Sequence, residues 1–317
     1  MTAAAPTAAW PGSDVERRPL AIRAQEPLAP YTTFRIGGAA EWFCDATTAA
    51  DLRTAVAAAT GAGVPVTVLG GGSNVLIGDG GVRGLVIRPG ERRVELVGPG
   101  IVRASAGVTL NGLVRWTVSR GLGGLEGWAG TPGTVGGAVC GNAHFRGRLL
   151  SEVVAAVGMA EPDGTERVAA AGAMEFGYDA SRLQRTGEVA LWAEFAVGDA
   201  DPAVLRVRAR EALAYRKRTQ PLSVPSAGCI FRNPDPGTSG FPDGVPASAG
   251  ALIDRAGLKG TAIGGARVSH RHANFIVGGP GASARDVRAL VDLCRARVEA
   301  SFGVVLRCEV VFLGEFS

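Results

Sequence analysis

Cysteine, histidine and aromatic residues are scarce in this chain of 317 residues. Its five cysteines are odd in number and include no C-x-x-C pair, and its three histidines do not stand at metal-ligand spacings. We therefore predict free thiols, no disulfide framework and no bound metal. Long apolar runs are also missing, and residues 1–20 lack the basic and apolar segments of a secretory signal. We expect a cytoplasmic protein without a membrane span, with a disordered tail over residues 1–20.

The chain has a small net charge, and most of its positively charged residues are arginines. The net charge is +4, with 46% hydrophobic and 20% charged residues, a composition typical of soluble globular proteins. The arginines are dispersed, and no aromatic residues are interleaved with them, which disfavours a nucleic-acid surface. The guanidinium fork suits a carboxylate or phosphate on a small ligand instead. The length predicts two or three subdomains.

Glycine is abundant, with 47 residues, and two glycine-rich stretches stand out. Residues 127–138 read GWAGTPGTVGGA, which disfavours a long helix or strand and exposes N–H groups that can meet an anion. A tightly packed buried loop is the alternative. Residues 69–74 read LGGGSN after a predicted buried strand over 64–69, an arrangement that cradles phosphates. Neither stretch has the spacing of a dinucleotide fingerprint or a P-loop.

Hydrophobic periodicity predicts a mixture of helices and strands. Helices are expected over 48–61, 109–120, 202–218, 248–256 and 283–302. Strands are expected over 41–45, 64–69, 82–88, 94–97, 102–106, 153–159, 166–169, 189–197 and 304–313. The composition changes after the helix predicted over 202–218, and we place a domain boundary near Asp201, where that helix begins.

Six stretches, in order along the chain, resemble the family of UDP-N-acetylenolpyruvoylglucosamine reductases, also called UDP-N-acetylmuramate dehydrogenases. They are Thr32–Gly38, Leu69–Asn74, Gly130–Ala138 with Asn142, Pro225–Pro234, Ala249–Asp254 and Leu306–Val310. The resemblance implies an α+β fold with an FAD-binding part of the vanillyl-alcohol-oxidase (PCMH) type. Its two FAD-binding subdomains would span 21–98 and 99–200, and an α+β substrate domain would span 201–317. Residues 195–202 leave no room for the inserted tyrosine loop of some members, so the chain resembles the shorter type.

This resemblance implies NADPH-dependent reduction of UDP-N-acetylenolpyruvoylglucosamine to UDP-N-acetylmuramate through FAD. The reaction belongs to peptidoglycan precursor synthesis and so to cell-wall biogenesis, cell shape, cell division and the cell cycle. Hydride passes from NADPH to FAD and then to the β-carbon of the enolpyruvyl group. A proton must reach the α-carbon, so the site needs hydrogen-bond donors and one acid. The implied partner is a UDP-sugar, with neither nucleic acid nor membrane, and we expect a monomer.

The resemblance also assigns residues to the reaction. Cys229 would donate the proton, and Glu309 matches the catalytic glutamate; a small buried residue and a structural ion pair are the alternatives. Residues expected to bind the cofactor are Arg35, Gly70, Gly71, Gly72, Ser73, Asn74, Gly130, Thr131, Pro132, Gly133, Thr134, Gly136 and Gly137. Residues expected to bind the substrate are Tyr178, Lys217, Arg232 and Asn233, for which solvated surface polarity is the alternative.

Asp179 departs from the family pattern, in which an arginine directly after Tyr178 holds the substrate carboxylate. An aspartate there would repel a carboxylate. Arg182 and Arg185 are close in sequence, and we expect Arg182 to act as the catalytic substitute. Two alternatives to an active reductase stay open. One is a family member that Asp179 impairs, so that it binds FAD without turnover, and the other is another FAD-dependent oxidoreductase of the same fold.

Overall fold

The computed structural model describes residues 10–12, 20–235, 237, 241, 244 and 247–316. It divides into two compact units, each built from separate stretches of the chain. Unit 1 comprises Met1–Glu26, Ala40–Gly71 and Arg83–Leu213, and unit 2 comprises Pro27–Ala39, Gly72–Val82 and Ala214–Ser317. The limits of these units differ from the predicted domain limits, and the partition into three domains stays a prediction. The predicted tail lies almost wholly outside the described residues.

The strands in the described part of the chain are short and numerous. They are β1 (Ile22–Pro27), β2 (Ala39–Ala46), β3 (Val66–Val68), β4 (Val75–Ile77), β5 (Val82–Pro89), β6 (Val94–Gly98), β7 (Ile101–Ser105), β8 (Leu122–Gly123), β9 (His144–Phe145), β10 (Arg148–Leu149), β11 (Val154–Ala160), β12 (Glu166–Ala170), β13 (Val189–Ala196), β14 (Gly198–Asp199), β15 (Ala262–Ile263), β16 (Ala266–Val268), β17 (Ile276–Gly278) and β18 (Val311–Leu313). The α-helices are α1 (Ala49–Gly61), α2 (Leu110–Ser119), α3 (Val135–Cys140), α4 (Leu183–Thr186), α5 (Pro202–Thr219), α6 (Ala249–Arg255) and α7 (Ala284–Phe302).

Unit 1 contains a four-stranded sheet in the order β1-β2-β5-β3, in which β3 runs parallel to β5. Helix α1 packs with this sheet in one apolar core. It begins where predicted, because Thr48 and Asp51 form a capping box. The Asp51 N–H donates to Thr48 Oγ1 at 3.1 Å, and the Thr48 N–H donates to Asp51 Oδ2 at 3.0 Å.

The second sheet of unit 1 has the order β12-β11-β13-β7-β6, and all its pairings are antiparallel. The strands predicted over 153–159 and 166–169 correspond to β11 and β12, which pair as a hairpin around residues 162–164. Helix α2, which Thr109 caps, contributes to the core beside this sheet together with Phe195 and Trp128. The second glycine-rich stretch packs against this core.

Unit 2 is built around the long helix α7. Ser283 and Asp286 form its capping box, and Gly303 ends it. One apolar stripe of the helix is buried and consists of Val287, Leu290, Val291, Cys294 and Val298. The stripe shares one core with α6 and the sheet β15-β16-β17. Strand β18 pairs in parallel with β4, so the end of the chain joins the segment that follows the first glycine loop.

Two predictions of secondary structure were wrong. The expected buried strand over 64–69 is limited to β3, and Val68 is 38% exposed. The expected strand over 304–313 is limited to β18, since the N–H groups of Glu309 and Val310 both donate to the Ile230 carbonyl oxygen. Residues 127–138 contain no long helix or strand, as predicted, and only the short helix α3 begins within them, at Val135. Among the described residues, no helix combines the length and apolarity that crossing a membrane requires.

Candidate functional site

The two glycine-rich stretches approach each other within unit 1. A Cβ atom added to Gly71 would lie 2.7 Å from the Cα of Gly133, and one added to Gly70 would lie 2.5 Å from Thr134 Oγ1. Real Cβ atoms do not come this close to backbone atoms, so only glycine allows this spacing at position 71. The two stretches therefore lie against each other, and the predicted role of their residues in binding a cofactor stays a prediction.

The second stretch is fixed by hydrogen bonds to the start of α2. Asn111 Oδ1 accepts from the Gly130 N–H at 3.0 Å, and the Leu110 N–H donates to the Gly133 carbonyl at 3.0 Å. Trp128, 1% exposed, anchors the stretch in the core. A glycine-rich stretch held in this way keeps its backbone groups in fixed directions, which a flexible linker cannot do.

Both stretches leave polar groups available for a ligand. Thr131 Oγ1 and Thr134 Oγ1 are buried, and within the described part of the chain neither has a hydrogen-bond partner. The backbone N–H groups of Gly70 and Gly71, two partly buried residues, likewise make no hydrogen bond to another described residue. Buried polar groups without partners are rare and call for an explanation. A diphosphate, which only accepts hydrogen bonds, fits this set of donors.

The rest of the first glycine stretch belongs to unit 2. Gly72 has φ of +58°, and a Cβ atom there would lie 2.2 Å from the Tyr31 carbonyl oxygen, so this turn requires glycine. The Thr33 hydroxyl lies 3.2 Å from the Gly72 carbonyl oxygen and 2.7 Å from that of Ser226. Asn74 Nδ2 donates to the Glu309 carbonyl at 3.2 Å. This segment thus joins three of the stretches that carry the family resemblance.

The segments that carry Cys229 and Glu309 lie side by side in unit 2. The Glu309 N–H donates to the Ile230 carbonyl at 2.8 Å, and Phe231 and Cys308 form an antiparallel bridge. Cys229 and Glu309 are both partly exposed. The backbone segments that carry the two residues predicted to be catalytic therefore lie next to each other within one unit, and the catalytic roles of the two side chains stay predictions.

Two residues that the sequence analysis missed support the Cys229 segment. Asn274, 3% exposed, accepts from the Phe231 N–H at 2.9 Å and donates to the Phe231 carbonyl at 2.7 Å. Arg216, 8% exposed, interacts electrostatically with Cys229; burial lowers the pKa of this guanidinium, and the interaction with Cys229 partly offsets that effect. The thiol therefore has a buried cation nearby.

The turn that contains Tyr178 and Asp179 is also well ordered by contacts within unit 1. His144 Nδ1 lies 3.0 Å from Asp179 Oδ1, and His144 Nε2 lies 3.2 Å from the Tyr178 hydroxyl. Asp179 has φ of +52°, a conformation that aspartate tolerates better than most residues. The buried Asn142 side chain stabilises the turn, because its Nδ2 donates a hydrogen bond to the Gly177 carbonyl at 2.8 Å.

Comparison with known proteins agrees with these features. Residues 220–313 match the C-terminal domain of UDP-N-acetylenolpyruvoylglucosamine reductase, and residues 41–169 match an FAD binding domain. The UDP-N-acetylenolpyruvoylglucosamine reductase of Heliobacterium modesticaldum is 41% identical over 295 residues, covering 92% of this chain and 90% of that protein. The corresponding reductase of Synechococcus sp. (strain JA-3-3Ab) is 40% identical over 310 residues, covering 96% and 95%. The crystal structure of the Thermus caldophilus reductase matches with a TM-score of 0.77 at 34% identity, covering 93% of this chain and 99% of that one.

The chain belongs to the UDP-N-acetylenolpyruvoylglucosamine reductase family. Membership confirms the resemblance found in the sequence, and with it the α+β fold whose FAD-binding part is of the vanillyl-alcohol-oxidase type. An FAD-binding domain in a reductase family agrees with the donor set that the two glycine stretches present.

Arg182, expected to replace the arginine of this family, has a structural partner. Its Nε and one terminal nitrogen contact the two carboxylate oxygens of Glu188 at 2.8 and 2.9 Å, and its other terminal nitrogen donates to the Ala173 carbonyl at 3.3 Å. The Glu188 side chain is only 5% exposed. These contacts describe a buried fork-to-carboxylate pair, and a catalytic role for Arg182 stays a prediction.

The remaining predicted binding residues occupy varied positions. Arg35 and Lys217 are exposed, and the Lys217 carbonyl accepts from Arg271 at 3.2 Å. Asn233 Oδ1 accepts from the Ala249 N–H at 3.1 Å, at the start of α6, and the Arg232 N–H donates to the Arg307 carbonyl at 2.9 Å. Their roles toward cofactor or substrate stay predictions, as do those of Ser73, Pro132, Gly136 and Gly137.

Proposed function

We propose that this protein uses FAD and NADPH to reduce UDP-N-acetylenolpyruvoylglucosamine to UDP-N-acetylmuramate. The observation that carries the proposal is the contact between the two glycine stretches of unit 1, in a chain whose family is a reductase family. When bound, FAD supplies the chemistry of hydride transfer from NADPH to the β-carbon of the enolpyruvyl group.

The two glycine stretches would hold the diphosphate of FAD. The N–H groups of Gly70 and Gly71 could donate to phosphate oxygens, and the hydroxyls of Thr131 and Thr134 could serve as two further donors. Because the backbone at these positions is packed against its neighbours, little conformational entropy is lost when the cofactor binds. This role agrees with the buried hydroxyls that have no partner among the described residues.

Cys229 and Glu309 would handle the proton and the developing charge. Cys229 Sγ gives its proton to the α-carbon, and the buried guanidinium of Arg216 stabilises the thiolate that remains. Glu309 would act in the same step as the catalytic glutamate that the resemblance assigns to this position. Asn274 keeps the Cys229 segment in place through its two bonds to Phe231.

The substrate is a UDP-sugar, and Tyr178, Lys217, Arg232 and Asn233 are proposed to contact it. The same proposal makes the protein a cytoplasmic monomer of peptidoglycan precursor synthesis, with neither a nucleic acid nor a membrane as partner. It thereby serves cell-wall biogenesis and, through it, cell shape and division.

Product analysis tests this function. Purified protein, NADPH and UDP-N-acetylenolpyruvoylglucosamine should give a product heavier by two hydrogens, and heat denaturation should release FAD. An oxidase of the same fold would instead reduce its flavin with a simple sugar and leave the enolpyruvyl compound unchanged. An impaired member would contain FAD and form no product. Either result would overturn the proposal.

A further inference from the structure

Asn274 makes three hydrogen bonds to the two residues that directly follow Cys229. Its backbone carbonyl accepts from the Ile230 N–H at 2.8 Å. Its side-chain Oδ1 accepts from the Phe231 N–H at 2.9 Å, and its Nδ2 donates to the Phe231 carbonyl at 2.7 Å. Ile230 and Phe231 are each 1% exposed and Asn274 is 3% exposed, so these bonds are shielded from water. Asn274 therefore fixes the directions of both peptide groups that follow Cys229.

The peptide group between Ile230 and Phe231 has partners on both of its sides. Its N–H donates to Asn274, and its carbonyl, that of Ile230, accepts from the Glu309 N–H at 2.8 Å and from the Val310 N–H at 3.3 Å. A trans peptide group is planar, and its N–H and carbonyl point in opposite directions. Asn274 therefore also sets the direction of the carbonyl that holds the backbone of Glu309.

Asn274 can hold these segments because its own backbone is fixed. It lies two residues before β17, which pairs with β16 in the sheet that shares one core with α7. The Ser269 N–H donates to the carbonyl of the neighbouring Phe275 at 2.8 Å. All of these residues belong to unit 2. The sheet thus provides a rigid anchor for both segments that carry the predicted catalytic residues.

We propose that Asn274 is a positioning residue for the oxidation of reduced flavin by the substrate. It holds the Cys229 thiol and the Glu309 carboxyl group at the spacing that proton delivery to the α-carbon requires, and it acts through their backbones rather than by contact with the substrate. This inference rests on the proposed function. A displacement of about 1 Å at a reacting group slows a step about 100-fold, so loss of the three bonds should change the rate of this step.

The test compares Asn274→Ala with a control that also weakens the core of unit 2. The control is Val298→Ala, which removes two buried methyl groups of α7 and none of these hydrogen bonds. Both variants should lose stability in urea, and in both FAD content and reduction by NADPH should stay within about twofold of wild type. Oxidation of the reduced enzyme by UDP-N-acetylenolpyruvoylglucosamine should slow about 10- to 100-fold in Asn274→Ala and stay within about twofold of wild type in the control.

Amide hydrogen exchange of the FAD-loaded enzyme gives a readout that does not depend on activity. Residues 307–310 should exchange faster in Asn274→Ala than in Val298→Ala, because the Glu309 N–H depends on the direction of the Ile230 carbonyl. A residue that only contributed to overall stability would change exchange in the two variants alike. Exchange measured by mass spectrometry on peptides that span these residues decides between the two roles.

Asn274→Asp provides a second variant if Asn274→Ala folds poorly. Its carboxylate still accepts from the Phe231 N–H but presents no donor to the Phe231 carbonyl, and protonation of the carboxyl group restores a donor. Its oxidation rate relative to wild type should therefore be low at neutral pH and recover as the pH falls.

Three results would overturn the inference: oxidation of Asn274→Ala as fast as that of Val298→Ala, equal exchange of residues 307–310 in the two variants, or a relative rate of Asn274→Asp that does not vary with pH. If the wild-type enzyme itself is not oxidised by the enolpyruvyl compound, the proposed function fails. A contrary result that is confined to the variants overturns this inference alone.

Discussion

Replacing Gly71 by alanine tests whether the spacing of the two glycine stretches sets FAD affinity. The new Cβ atom would lie 2.7 Å from the Gly133 Cα and 3.2 Å from its carbonyl carbon. Ordinary carbon contacts are about 3.5 to 4.0 Å, so the stretches must separate by several tenths of an ångström or more. Both atoms of Gly133 are backbone atoms, which cannot rotate out of the way.

Such overpacking costs about 1 to 3 kcal/mol. The apoprotein can relax by letting the stretches move apart, but a diphosphate held by both of them requires the original spacing. The cost should therefore fall on binding, and the Kd for FAD should rise about 5- to 150-fold. Flavin fluorescence during titration of apoprotein with FAD measures this change.

Gly127→Ala is the matched control, because nothing lies within 4 Å of a Cβ atom at Gly127 and its φ is not in the left-handed region. Its Kd should stay within about twofold of wild type, a change of under about 0.5 kcal/mol. The reasoning would be refuted if Gly71→Ala bound FAD as tightly as wild type. It would also be refuted if the variant lost stability as apoprotein while its Kd did not change, since the contact would then matter only to folding.

Further predictions concern individual side chains. Arg182→Ala should lower the free energy of unfolding by about 3 to 5 kcal/mol in urea titrations, because it removes the ion-pair partner of the buried Glu188 carboxylate. The loss of stability should be smaller when Glu188→Met is combined with it. Unchanged kinetics of the folded variant would remove Arg182 from the mechanism. Asn274→Ala should cost about 2 to 3 kcal/mol in the same assay, since it leaves a buried N–H and carbonyl without partners. Cys229→Ala should slow oxidation of reduced flavin by the enolpyruvyl substrate about 10²- to 10⁴-fold and leave reduction by NADPH intact, as stopped-flow absorbance can show. Burial lowers the pKa of His272 below its ordinary 6.5. Just below pH 6.5 the unfolded chain therefore binds more protons than the folded protein, and the free energy of unfolding should fall as the pH drops below 6.5. His272→Gln should flatten this part of the pH profile of stability measured in urea.

Local features of this protein were predictable from its sequence. The capping boxes of α1 and α7, the buried stripe of α7 and the turn between β11 and β12 each depend on residues a few positions apart. The two glycine stretches were identifiable because their composition excludes long regular elements. The resemblance then supplied the order of the motifs, which the family comparison confirmed.

Long-range features could not be predicted in the same way. Residues 27–39 and 72–82 belong to one unit with the last third of the chain, and no local pattern encodes that assembly. The contact of His144 with Asp179 joins residues far apart in sequence, and so does the hydrogen bond between Asn274 and Phe231. The strand expected around Glu309 failed for a related reason, because a distant carbonyl, that of Ile230, takes the N–H groups that a sheet would use.

The most direct test of the account is a single anaerobic turnover followed by flavin absorbance. NADPH should bleach the bound FAD, and UDP-N-acetylenolpyruvoylglucosamine, added after NADP⁺ and excess NADPH are removed, should restore the oxidised spectrum with one substrate consumed per flavin. A flavin that stays reduced until air is admitted would contradict the account.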